Sequence, residues 1–269
     1  MTTLDAIILG FIQGLTEFLP ISSSGHLVIF QHLLGFAQPQ LLLDVTVHMG
    51  TLLAVIVYFR KDLISITNQA LSLFLPRPHL TKPSHTDQEQ KLLLWIIIAC
   101  VPTGLIGIFF KDPLEKMFGS VVTVSIMLLI TGVIIGSTHF IPQEYTSRKY
   151  VGLVTALAVG TAQGLAIIPG ISRSGTTIAC GLVCGLEREL AGRFSFLISI
   201  PAILGALVLE LHEQSIASVP LLTLAGGFLT SAIVGFLCLR LLMKVVKKGQ
   251  LAYFAPYCFL AGIAALIFF

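Results

Sequence analysis

Charge is what this chain has least of. Asp, Glu, Lys and Arg together make up 11% of its 269 residues, where soluble domains carry about a quarter. Set beside 55% hydrophobic residues, that shortage excludes a soluble globular domain, and nucleic acid is not an expected partner. The opening Met1-Thr-Thr-Leu-Asp5 lacks a basic stretch, so no cleavable signal peptide is expected. A metal or disulfide pattern is missing as well. The cysteines, Cys100, Cys180, Cys184, Cys238 and Cys258, all fall in or beside apolar segments. Cys180 and Cys184 are helical neighbours without a nearby histidine, which reads as small buried residues.

What the chain does have is long apolar runs. Six are long enough to cross a hydrocarbon core of about 30 Å: 42–59, 92–110, 121–140, 190–211, 219–243 and 252–269. Four shorter ones come in pairs, 4–19 with 23–35 and 150–168 with 174–186. A helix of about 15 residues rises only some 22 Å, too little to span comfortably. Pro20, Gly25, Pro169, Gly170 and Gly175 interrupt each pair, so each reads as a re-entrant helix hairpin. The expected fold is therefore an all-α membrane protein with six transmembrane helices plus two re-entrant hairpins.

Basic residues orient this layout. With the first hairpin opening outside, the inner segments hold Arg60, Lys61, Arg77, Lys82, Lys91, Arg148, Lys149, Arg188, Arg193, Arg240, Lys244, Lys247 and Lys248. The outer ones hold Lys111 and Lys116. The polar stretch 60–91, with Pro76, Pro78 and Pro83, reads as a cytoplasmic loop in which His79 and His85 are incidental.

The two interruptions are copies of one segment. Gly10-Phe-Ile-Gln-Gly-Leu-Thr-Glu-Phe-Leu-Pro-Ile-Ser-Ser-Ser-Gly25 aligns without a gap on Gly160-Thr-Ala-Gln-Gly-Leu-Ala-Ile-Ile-Pro-Gly-Ile-Ser-Arg-Ser-Gly175. Gly10, Gln13, Gly14, Leu15, Ile21, Ser22, Ser24 and Gly25 recur at an offset of 150 residues, which marks an internal duplication. The chain then reads as a single integral membrane domain, 1–269, of two inverted repeats, about 1–140 and 150–269. Their broken helices would meet near the membrane midplane.

The differences between the copies carry the chemistry. Glu17 faces Ile167, Ser23 faces Arg173, and His26 faces Thr176. Glu17 and Arg173 are the lone ionised groups of opposite sign in two apolar hairpins, where such groups are costly and usually mark function. A buried pair that merely pins the hairpins together is the simpler reading, but it leaves the neighbours unexplained. Gln13 lies one turn before Glu17 on the same face, and Ser22, Ser23, Ser24 and His26 follow. Ser172, Ser174, Thr176 and Thr177 crowd the other tip. A helix N-cap accounts for one serine at each tip and no more. Two helix N-termini and an arginine fork favour an anion, phosphate above all. Hydroxyl, imidazole and carboxylate beside it suggest phosphoryl transfer.

Gln13-Gly-Leu-Thr-Glu17-Phe-Leu-Pro-Ile-Ser-Ser-Ser-Gly-His26 and Pro169-Gly-Ile-Ser-Arg173-Ser-Gly-Thr-Thr177 resemble the two signature motifs of the undecaprenyl-diphosphate phosphatase family, the bacitracin-resistance-type membrane enzymes. The resemblance extends through Asp44-Val-Thr-Val-His48-Met-Gly50 and Phe194-Ser-Phe-Leu. It implies hydrolysis of undecaprenyl diphosphate to the monophosphate and inorganic phosphate, recycling the lipid carrier of bacterial wall synthesis. It also implies a divalent cation, Mg²⁺ or Ca²⁺, and a site on the extracytoplasmic side of the bacterial cytoplasmic membrane. That family allows Glu or Gln where this chain has Gln13, which leaves Glu17 the principal carboxylate.

On this reading the catalytic residues are Glu17, Ser23, His26 and Arg173. Gln13, Ser22, Ser24, Ser172, Ser174 and Thr177 would bind substrate. Ser23 attacks phosphorus with His26 as its base, and Glu17 orients His26 or holds the metal; a phosphohistidine at His26 is the competing route. Membrane lipids and a polyprenyl diphosphate are the expected partners, and the oligomeric state stays open, a homodimer included. Asp44 and His48 are placed at the entrance or in packing. The rival function is a secondary transporter or lipid flippase with a midplane anion site, which needs anion donors but no nucleophile.

Overall fold

The computed structural model describes residues 1–36, 40–74, 86–212 and 219–269, and among these the chain forms helices and connectors and no strand. In order these are α1 (Thr3–Phe18), α2 (Ser23–Leu33), α3 (Leu41–Tyr58), α4 (Arg60–Phe74), α5 (Thr86–Phe109), α6 (Lys111–Phe118), α7 (Val121–Ser137), α8 (Leu153–Leu165), α9 (Arg173–Val183), α10 (Arg188–His212), α11 (Leu221–Lys247) and α12 (Ala255–Phe268). Single 3₁₀ turns extend α7 (Thr138–Phe140) and precede α12 (Leu251–Phe254).

Six stretches have the length and hydropathy to cross a bilayer: Leu41–Tyr58, Lys91–Phe109, Val121–Phe140, Arg188–Val208, Leu221–Lys247 and Leu251–Phe268. They coincide with the six apolar runs of the sequence. The chain is a multi-pass membrane protein, and its many exposed Leu, Ile, Val and Phe side chains suit a lipid solvent.

The polar stretch 60–91 differs from the expected loop at its start. Arg60–Phe74 is helical, with Ile66 buried in the main core and Asp62 paired to Arg193 of α10. An apolar residue at the right helical spacing suffices to dock a polar helix against spans. Pro76, Pro78, Pro83, His79 and His85 lie outside the described residues.

The four shorter helices are where the sequence put them, and each pair is broken at the duplicated segment. At 16 and 11 residues, α1 and α2 rise about 24 and about 16 Å; α8 and α9, at 13 and 11, are similar. α1 lies along α11, as α8 lies along α5. The duplicated glycines make both contacts. A Cβ on Gly10 would stand 2.5 Å from the carbonyl oxygen of Gly227, and one on Gly160 would stand 2.1 Å from that of Ala99. Backbones approach this closely only without a side chain between them. Thr103 fastens the second contact, donating to the Gly160 carbonyl at 2.8 Å.

The two breaks touch each other reciprocally. A Cβ on Gly25 would lie 3.3 Å from Gly170 Cα, and one on Gly175 would lie 3.1 Å from Pro20 Cβ. Pro20 and Gly170 are themselves 150 residues apart, as Gly25 and Gly175 are. The same contact is thus made twice, once from each tip.

Candidate active site

Both tips begin a helix, and the same device fixes each start. Ser22 Oγ accepts from Gly25 N at 3.3 Å, and Ser172 Oγ accepts from Gly175 N at 3.1 Å, so each serine is an N-cap. In each, the capping hydroxyl lies 3.3 Å from that of the serine two residues on, Ser24 or Ser174. The bends demand unusual backbone. Gly170 takes φ +94° with the Val124 carbonyl where a side chain would go, which only glycine tolerates. Ser22 takes φ +68°, a left-handed conformation that costs a non-glycine residue of order 1–3 kcal/mol. From α7, Thr131 ties the second tip down: its hydroxyl donates to Gly170 O at 2.8 Å and accepts from Ser172 N at 3.0 Å.

Across the contact between tips, Glu17 of α1 meets Arg173 of α9. Arg173 Nη2 donates to Glu17 Oε1 in a part-buried ion pair. The other carboxylate oxygen, Oε2, accepts from Ser23 Oγ at 2.5 Å and from Gln13 Nε2 at 3.0 Å. Gln13 and Glu17 are one turn apart, as their spacing predicts. His48 of α3 brings its Nε2 to 3.8 Å from the same oxygen. Carboxylate, hydroxyl and guanidinium, drawn from both copies, therefore share one spot. Arg173 Nη1 is buried there without a hydrogen-bond partner, and so is the Thr176 hydroxyl.

His26 is close by but differently engaged from expectation. Its Nδ1 lies 2.8 Å from Ser22 O, and its Nε2 lies 2.7 Å from the hydroxyl of Tyr257 on α12. No hydrogen bond joins His26 to Ser23 or to Glu17. The reason is local. A histidine four residues after an N-cap turns its Nδ1 back to the cap's carbonyl, which leaves Nε2 to the hydroxyl of Tyr257. The serine hydroxyl is left to the carboxylate.

The other expected residues split into two groups. Ser24 and Ser174 sit at the tips beside their capping neighbours. Ser22 and Ser172 spend their hydroxyls on the caps, and Thr177 is tied into the scaffold through Arg173 O at 2.7 Å and Ser195 Oγ at 2.5 Å. Asp44 accepts from Gln31 Nε2 at 2.6 Å. Tyr257, Thr131 and Ser195 were not among the expected residues. Tyr257 and Thr131 lie outside both tip motifs, where a polar group in an apolar helix was the only signal, whereas Ser195 falls within the Phe194-Ser-Phe-Leu stretch.

The site does not fit a resident divalent cation. Both Glu17 oxygens are engaged by protein donors, and among the described residues no three His, Cys, Asp or Glu side chains are grouped to hold a metal. Two helix N-termini and an arginine make the spot positive in character and suited to an anion.

The chain is similar to known proteins along nearly its whole length. The sequence model described as bacitracin resistance protein BacA matches residues 6–264. A protein named undecaprenyl-diphosphatase from Desulfatibacillum aliphaticivorans is 45% identical over 99% of this chain and 99% of its own length. One of the same name from Desulforapulum autotrophicum is 42% identical, over 99% and 98%. Another from Methanosphaera stadtmanae is 40% identical, over 98% and 97%. With both tips, five spans and most of the sixth inside the match, the chain belongs to the bacitracin resistance protein BacA family.

Proposed function

We propose that this chain is an undecaprenyl-diphosphate phosphatase, a hydrolase that cleaves the terminal phosphate from a polyprenyl diphosphate and returns the monophosphate carrier to cell-wall synthesis. The names of its relatives give the substrate, and the family's name gives the link to bacitracin resistance. The observation that carries the chemistry is the three-way contact of Ser23, Glu17 and Arg173 with one buried Arg173 nitrogen still without a partner.

Arg173 keeps Nη2 on Glu17 and offers Nη1 to a phosphate oxygen, so substrate binds without breaking the ion pair. The first step moves the Ser23 proton to Glu17 while Ser23 Oγ bonds to the terminal phosphorus. The bridging P–O bond breaks, and the lipid monophosphate leaves as a stable anion that needs no proton. In the second step a water oxygen bonds to that phosphorus and its proton passes to His26 Nε2. The P–O bond to Ser23 breaks, and Ser23 recovers its proton from Glu17. Arg173 and the N–H groups at the starts of α2 and α9 offset the charge that develops on the phosphoryl oxygens. No step runs through a cation.

The reciprocal tip contact supports reading each broken pair as a re-entrant hairpin and the halves as inverted. The bias of basic residues supports a bacterial cytoplasmic-membrane location with the first hairpin, and so the active site, open to the extracytoplasmic side. The prenyl chain then lies among the helices in contact with lipid. All groups used come from one chain, so the proposal needs no second copy.

The test is phosphate release from undecaprenyl diphosphate by purified protein in detergent, where nothing can be transported. Wild type should turn over, and Ser23→Ala should lose at least about 10³-fold, as removal of an attacking group does. A folded, inactive wild type would favour the transporter reading.

A further inference from the structure

Tyr257 of α12 reaches the first tip, and the geometry of His26 gives it a purpose. A backbone carbonyl only accepts, so the 2.8 Å contact between His26 Nδ1 and Ser22 O requires a proton on Nδ1. In the neutral ring the lone pair is then on Nε2, and the Tyr257 hydroxyl donates to it at 2.7 Å. The two rings are nearly parallel, 12° apart with centroids separated by 5.7 Å. The ring is thus held at both nitrogens, one by its own helix and one by a residue 231 positions away. α12 is itself fixed against the first tip, since Cys258 Sγ contacts Pro20 O at 3.5 Å.

We propose that Tyr257 is the positioning residue for His26 in the second half of the reaction. This rests on the phosphatase reading above. Ser23 gives its proton to Glu17, so the first half proceeds without His26. The second half needs Nε2 unprotonated and aimed at the incoming water. Tyr257 holds it so in the resting enzyme, keeping the ring in one tautomer and one orientation. As water approaches, the phenol turns aside, and Nε2 takes the water's proton. When the ring carries two protons, the phenol oxygen accepts from Nε2–H, which gives that proton a way out. Nothing in the arrangement couples Tyr257 to Ser23, Glu17 or Arg173, so its removal should slow one half-reaction and spare the other.

The experiment is pre-steady-state kinetics of Tyr257→Phe on undecaprenyl diphosphate in detergent, following lipid monophosphate and inorganic phosphate separately. The expected result is a burst of about one lipid monophosphate per enzyme at the wild-type rate, then phosphate release slowed roughly tenfold or more. Equal slowing of both products, or no slowing, overturns the proposal. A second variant with fluorotyrosine at position 257 keeps the hydroxyl and the ring but acidifies the phenol. It should restore turnover and shift the pH profile of phosphate release; an unshifted profile overturns the proposal. A folded wild type without phosphatase activity would sink the phosphatase reading itself, whereas an active wild type with no burst in Tyr257→Phe sinks this inference alone.

Discussion

Replacing Arg173 with lysine separates the two tasks that one side chain performs. In the native site Nη2 is committed to Glu17 and Nη1 is free for a phosphate oxygen. A planar fork serves both partners at once; an ammonium is a single point donor. Lysine keeps the charge beside Glu17, so the helices stay docked, and the phosphate loses its donor. A hydrogen bond to a charged group is worth about 1.5–3 kcal/mol, which at about 1.4 kcal/mol per tenfold is roughly 10- to 150-fold. Donors to charge developing in a transition state sit at the upper end, about 10²–10³ in kcat. The expectation for Arg173→Lys is therefore a fall of about 100-fold in kcat/KM, mostly in kcat, with a melting temperature close to wild type. Arg173→Ala should differ in kind, because it strands the buried Glu17 charge and costs about 3–5 kcal/mol of stability as well. Initial rates of phosphate release in detergent, with thermal unfolding of the same preparations, measure both quantities. An Arg173→Lys enzyme within threefold of wild type would refute the division of labour between the two nitrogens.

Two further substitutions probe the frame around the site. Gly160→Ala places a Cβ 2.1 Å from the Ala99 carbonyl oxygen, a backbone atom that cannot step aside. It should cost about 1–3 kcal/mol or more, read as a lower unfolding temperature in detergent, and an unchanged one would contradict the close helix contact. Thr131→Val keeps the shape but leaves Gly170 O and Ser172 N without their shared hydroxyl. About 1–3 kcal/mol of stability should go, together with activity, because the tip that carries Arg173 loosens. Stability and rate both at wild-type levels would show that Thr131 does not hold that tip.

Much of this was legible from residue order because the membrane simplifies the problem. A hydrocarbon solvent demands long apolar helices, so Leu41–Tyr58 and the five other spans announce themselves by composition. It penalises ionised groups, so Glu17 and Arg173 stand out in their apolar surroundings, and the ion pair joins them. The duplication marked the two breaks, which Pro20 and Gly170 make by backbone geometry. What escaped was set by tertiary contact. Sequence spacing put Ser23 beside His26, three residues on, yet the turn at Ser22 sends the hydroxyl to Glu17 and the imidazole to Tyr257. No local rule joins position 26 to position 257. The helix Arg60–Phe74 was missed because its polar composition resembles a loop, and the burial of Ile66 with the Asp62–Arg193 pair decides otherwise. Ser22 and Ser172 were expected at the substrate, whereas orphan N–H groups at the helix starts claim them first.

The account's central claim is that the Ser23 hydroxyl, freed of its proton by Glu17, becomes bonded to phosphorus. Rapid-quench mixing of the enzyme with diphosphate lipid labelled in its terminal phosphate, followed by acid and peptide mapping, tests it directly. Acid-stable label on Ser23, absent from Ser23→Ala, is the predicted result. Acid-labile label on His26, or turnover with no label on the protein at any time, would contradict it.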